Sequence, residues 1–246
     1  MSPPLSLNAL WRSAPVATPL PLGGWEGFPA AAQRYLSHAI APGTPLASAV
    51  RLRMHGQIKL KQWCPFKAEQ VIAQRGMIWQ ATTWMNGLPI LGADRLVDGA
   101  GAMRWKLLGL FPVMVASGAD ITRSGTGRAA GEAVWLPTML WGTDTTWTAT
   151  DTNHATAHFT RQNEAIDLHL EVDRAGRLQS LQFQRWGNPG GNEFSYNSFG
   201  GWVEAERTFG GYTIPSQLRL GWYFGSERFE PEGEFFRVTI DDAQYR

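Results

Sequence analysis

The run from Val50 to Lys61, Val-Arg-Leu-Arg-Met-His-Gly-Gln-Ile-Lys-Leu-Lys, alternates strictly between apolar and polar residues. Even positions carry Val50, Leu52, Met54, Ile58 and Leu60, with Gly56 the one gap. Odd positions carry Arg51, Arg53, His55, Gln57, Lys59 and Lys61. A period of two marks a strand with one buried face. At about 3.3 Å per residue the run reaches roughly 40 Å, well beyond a typical strand. A strand that long needs a large, curved antiparallel sheet with one apolar side.

The rest of the chain supplies that sheet. Strands are expected at about 65–74, 76–86, 89–97, 102–108, 145–151, 154–160, 165–172, 177–186, 201–208, 213–225 and 234–241. In 76–86, Met77, Trp79, Ala81 and Met85 share one parity while Ile78 and Trp84 take the other, so both faces of that strand are partly covered. Residues 28–40 suit a short helix with Pro29 near its start, ended by Ala41-Pro42-Gly43. Residues 118–136 read as the main helix, in which Gly127 and Gly131 permit close approach to a sheet and Arg128 and Glu132 stand four apart. The apolar stretch 107–116 reads as a buried connection or as an apolar lip over a cavity. Residues 1–27, rich in Pro, Ala and Leu, are expected to form an irregular arm before one domain spanning 28–246. The fold class is mainly β (α+β): a single curved half-barrel sheet of about eleven strands, with one or two helices on its concave face.

Composition narrows the function classes. A chain that is 43% hydrophobic and 17% charged buries a substantial core. Its single cysteine, Cys64, permits no intramolecular disulfide and no cysteine-rich metal site. The formal charge of +1 hides an asymmetry: residues 51–106 hold nine Lys/Arg against three Asp/Glu, and residues 107–246 hold eleven against seventeen. Either neighbouring strands neutralise each other, or a cationic patch serves an acidic ligand or headgroup. Without an overall basic excess or a binding motif, nucleic acid is not an expected partner. No run of about 18 apolar residues is present, so no integral membrane segment is expected. The first residues lack a charged region followed by an apolar one, and a soluble, cytoplasmic protein is expected on that ground.

Few residues carry recognisable chemistry. His154 and His158 are four apart, but on a strand that spacing separates them by about 13 Å, so no metal site is expected. Gly125 to Gly131 lacks the spacing and the βαβ setting of a dinucleotide loop, and no cofactor is expected. Among the carboxylates Asp94, Glu132, Glu204, Glu206, Glu234, Asp241 and Asp242, Glu132 is the best acid/base candidate, because its helix is expected to pack inside the sheet. Its bland alternative is a structural ion pair. The expected function is binding of an apolar or amphipathic, lipid-like small molecule inside the half-barrel. Trp79, Trp105, Phe111, Met114, Trp135 and Trp222 are the candidate walls, and Arg104, Arg185 and Glu132 the candidate anchors. The alternative is a cofactor-independent hydrolase, isomerase or cyclase working in the same space.

The segments PGTPLASAVRLRMHGQIKL, GADRLVDGAGAMRWKLLGLFPVMVASGADITRSGTGRAAGEAVWLP, QRWGNPGG and ERTFGGYTIPSQLRLGWYFGSERFEPEGEFFRVTIDDAQYR resemble those of an uncharacterised bacterial family, over about residues 28–246. That resemblance implies no activity. More distantly, the layout resembles the lipoprotein-localisation-factor fold of the LolA and LolB type. This second resemblance implies a curved antiparallel sheet wrapped round helices, with an apolar cavity for acyl chains and a helix such as 118–136 in the concave face.

Overall fold

A computed structural model describes residues 5–19, 24–142, 144–191 and 193–246. It contains one 13-stranded antiparallel sheet. The chain runs outward from the middle through β1 (Ala49–Lys59), β2 (Trp63–Ala73), β3 (Gly76–Met85), β4 (Leu88–Val97), β5 (Ala100–Leu107) and β6 (Phe111–Ser117). It then crosses the sheet through the helix α3 (Ala119–Gly131) and two short 3-10 turns, Glu132–Trp135 and Pro137–Leu140. From the far edge it returns through β7 (Thr145–Ala149), β8 (His154–Arg161), β9 (Glu164–Val172), β10 (Leu178–Gly187), β11 (Ser195–Phe209), β12 (Tyr212–Trp222) and β13 (Glu234–Tyr245). The last strand pairs with β1, so β6 and β7 are the two open edges and the sheet does not close into a barrel.

The alternation that begins at Val50 settles the faces. Val50, Leu52 and Met54 point into the main core, together with Phe66, Trp79, Leu168, Leu170 and Ile240. Gly56, the gap in the pattern, lies where β1 meets β13 closely: a Cβ there would sit 2.0 Å from the Arg237 carbonyl oxygen. The helix α3 lies on the inner face against β4, β5, β9 and β10. Its two glycines permit that approach, since a Cβ on Gly127 would stand 2.9 Å from Arg185 Cγ and one on Gly131 2.7 Å from the Phe183 ring. The helix expected over 28–40 is α2 (Ala30–Ala39), which buries Tyr35 and Leu36 and packs against β7, β8, β9 and β12.

Three expectations change. The irregular arm holds a helix, α1 (Leu7–Ser13), capped by the Ser6 side chain; residues 1–4 and 20–23 of that arm lie outside the described residues. Leu7, Leu10 and Ala14 cover Ala49, Val71, Ala73 and Ile78 on the outer face, which explains why β3 is apolar on both sides. The stretch 107–116 is not a buried connection: it contains a hairpin turn and the edge strand β6, whose residues are almost all exposed. The helix expected to reach 136 ends at Gly131 and tightens into 3-10 turns, because Pro137 cannot continue an α-helical ladder.

Candidate functional site

One end of the inner face carries an apolar surface that continues across many strands. Directly paired residues in antiparallel strands share a face. A single row therefore runs from Phe111 through Leu107, Ile90, Thr83, Phe66 and Gly56 to Val238 and Leu218. Phe66 stacks on Phe236 with ring centroids 5.1 Å apart, and Trp79 meets both Phe66 and Trp105 at 5.6 Å. Phe199 packs edge-on against Trp222 at 5.1 Å. Phe66, Trp79 and Trp105 are buried, whereas Ile58, Met85, Leu107, Leu220, Trp222, Phe235 and Phe236 are only half-buried at the margin of this surface.

A polar cluster from α3 stands beside these rings. Arg128 Nε donates to Glu132 Oε1 at 2.7 Å, and its Nη1 donates to Asp94 Oδ2 at 2.8 Å. Gln70 Nε2 donates to Glu132 Oε2 at 2.7 Å, and Trp105 Nε1 donates to Asp94 Oδ1 at 2.8 Å. Burial works against the Arg128 charge, but the carboxylates of Glu132 and Asp94 outweigh it and hold the group above its ordinary range. The Arg128 guanidinium also lies over the Trp79 ring at 5.0 Å. Both carboxylate oxygens of Glu132 are thus engaged by donors of the protein itself, as a structural ion pair requires. Two buried polar atoms nearby, Gln70 Oε1 and Trp79 Nε1, have no hydrogen-bond partner.

Arg185 differs from Arg128. Its guanidinium lies 4.6 Å from the Phe199 ring centre and 5.0 Å from that of Trp222. Among the described residues its one hydrogen bond, from Nε, goes to the Ser124 carbonyl at 3.3 Å. No carboxylate pairs with it among the described residues. Burial, followed by the repulsion of Arg128, pushes its pKa down to about 9 against the attraction of Glu132 and Asp94. A desolvated cation stacked on two aromatic rings is a candidate binding position.

The structure brings Trp79, Trp105, Glu132, Arg185 and Trp222 together. Phe111 and Met114 share the face of Trp105 by register, but they stand exposed on the edge strand and form its rim. Trp135 is buried elsewhere in the core, where its indole donates to the Pro215 carbonyl at 3.0 Å. Arg104 faces outward, opposite Ala93 and Val115, into a trough of about 1620 Å³ on the outer side of β1–β6. Sequence reasoning missed Phe199, Phe236 and Gln70. Parity alone places Phe236 on the face of Val238 and Ile240, but the ring partners depend on the β1–β13 and β11–β12 registers. Of the two histidines on β8, His158 meets Asp167 at 2.7 Å and His154 meets Asp151 at 2.9 Å.

A family model matches residues 26–245, nearly the whole chain. The chain belongs to DUF6920, a family of unknown function. No curated protein matches it. Two solved structures are similar over most of their length. The first is a putative outer membrane lipoprotein-sorting protein domain from Vibrio parahaemolyticus, at 10% identity, with 81% of this chain and 86% of that chain covered and a TM-score of 0.41. The second is a LolA superfamily protein from Nitrosomonas europaea, at 8% identity, with 88% and 92% covered and a TM-score of 0.44.

Proposed function

We propose that this DUF6920 member binds an amphipathic, lipid-like molecule with an anionic headgroup at the half-buried end of the inner face. The observation that carries the reading is Arg185, a largely desolvated cation with no carboxylate in contact among the described residues, resting on Phe199 and Trp222. An anion beside it would add to the partial compensation that Glu132 and Asp94 give from further off, and would gain a charge-assisted hydrogen bond. The ligand's chain would lie over Phe235, Phe236 and Leu107 and leave towards Phe111 and Met114 on the rim. A mainly apolar surface with one or two placed polar groups is the usual composition of a small-molecule site.

Solvent extraction of the purified protein followed by mass spectrometry tests the reading, with Arg185→Gln as the control. The wild type is expected to yield an acidic amphiphile. Arg185→Gln is expected to retain about tenfold less, in line with the loss of one charged hydrogen bond. A wild type free of any such compound that also fails to take up an added fatty acid would overturn the proposal.

A further inference from the structure

The edge strand β6 and the turn before it form the most exposed apolar region described. Leu110 is 70% exposed, Val115 64% and Phe111 60%. Leu108, Val113 and Met114 are exposed beside them. No charged residue occurs from Leu107 to Ser117. The register sets Phe111 and Met114 on the inner face and Val115 on the outer face, so the projection is apolar on both sides and at its tip. Two features oppose pairing with a further strand. Pro112 has no N–H to donate, and a bulge lies at Trp105/Lys106. An added strand would in any case cover only the edge and leave both apolar faces in water.

Cations flank the projection. Lys106 and Arg104 stand on the outer face of β5, opposite Leu91 and Val115, and Lys67 lies further along the same trough. None of the three has a carboxylate partner among the described residues. The acids lining that trough are already engaged: Glu69 by Arg51, Asp98 by Arg75 and Asp241 by His55. An apolar wedge next to unpaired Lys and Arg matches the order of a bilayer surface, with hydrocarbon below and anionic headgroups above.

We propose that the β5–β6 turn and strand β6 dock this protein onto an anionic lipid bilayer, with Leu108, Leu110 and Phe111 entering the interface and Lys106 and Arg104 meeting the headgroups. The docking surface shares Phe111 and Met114 with the rim of the inner face but does not include Arg185, so it stands whether or not the inner face holds a ligand.

Vesicle flotation of the full chain tests the proposal. Vesicles of phosphatidylcholine with about one quarter phosphatidylglycerol are compared with pure phosphatidylcholine. Binding is expected to the anionic vesicles and to fall at least about tenfold when salt is raised from about 0.1 to about 1 M. Leu110→Ser/Phe111→Ser, and separately Arg104→Glu/Lys106→Glu, are each expected to lower partitioning about tenfold or more while circular dichroism stays unchanged. All four side chains are exposed or half-buried, so folding is expected to survive. Unaltered flotation in both variants would overturn the proposal. So would absence of wild-type binding, with light scattering showing a dimer that Phe111→Ser dissociates; the surface would then serve a second copy of the chain.

Discussion

At the scale of single residues, buried charges are the informative positions. Arg185 is held below its ordinary pKa by burial and by Arg128. The folded pKa of this base lies below the unfolded one, so the guanidinium carries its charge and the full penalty at neutral pH. Replacing a half-buried, only partly compensated cation with an apolar side chain removes that penalty. Arg185→Leu is therefore expected to unfold at higher urea, by about 1 kcal/mol at pH 7, while losing its ligand. Glu234 is the converse case. It is buried and accepts from Arg219 Nη2 and Arg237 Nε, both at 2.6 Å. These contacts, that of Arg219 first, depress its pKa to about 2. A depressed carboxylate stabilises the fold above the unfolded pKa of about 4.3, and that contribution is lost as pH falls towards 2. Urea unfolding across this range should show a shallower decline in Glu234→Gln than in the wild type.

At the scale of elements, α3 depends on close packing. Gly131 faces the Phe183 ring so tightly that even a methyl group forces the ring or the helix to move. Gly131→Ala is expected to cost about 1–3 kcal/mol through overpacking. Gly125 lies in the same helix, but a Cβ there would meet Leu96 at an ordinary 3.6 Å. Gly125→Ala is expected to stabilise by about 0.5–1 kcal/mol, because it restricts the unfolded chain and raises helix propensity. Thermal unfolding of the two variants in parallel would show opposite shifts. Equal shifts would mean that the helix does not sit on Phe183 as described. The element most easily misread is β6, since an apolar run with no charge reads as buried. Its exposure reflects its place at the open edge of the sheet.

For the whole molecule, the path of the chain decides stability. It leaves the centre at β1, reaches one edge, crosses the inner face and returns to the centre at β13. The final strand therefore joins two meanders, pairing with β1 on one side and β12 on the other. Removing residues 234–246 is expected to abolish the cooperative thermal transition, because it opens the core along its middle. Removing residues 1–16 uncovers only the small outer cluster under α1 and is expected to leave a folded sheet of lower melting temperature. Circular dichroism melts of both truncations would distinguish these outcomes.

The period-two alternation of Val50–Lys61 and its counterparts determined by themselves the strand class, most strand positions and the inward parity of Trp79, Trp105, Phe236 and Ile240. Gly127 and Gly131 announced a helix packed against strands. Those signals are local, since a side chain's face follows from its position in the strand. Strand order and register are long-range, and no local pattern states them. Only the tertiary structure decided that β13 lies beside β1, that Arg185 stacks on Phe199 and Trp222, and that Arg104 faces away from the cluster of Arg128, Asp94 and Glu132. The exposure of Phe111 and Met114 has the same origin: a strand's burial depends on what packs on its faces, and that is set by the path of the whole chain.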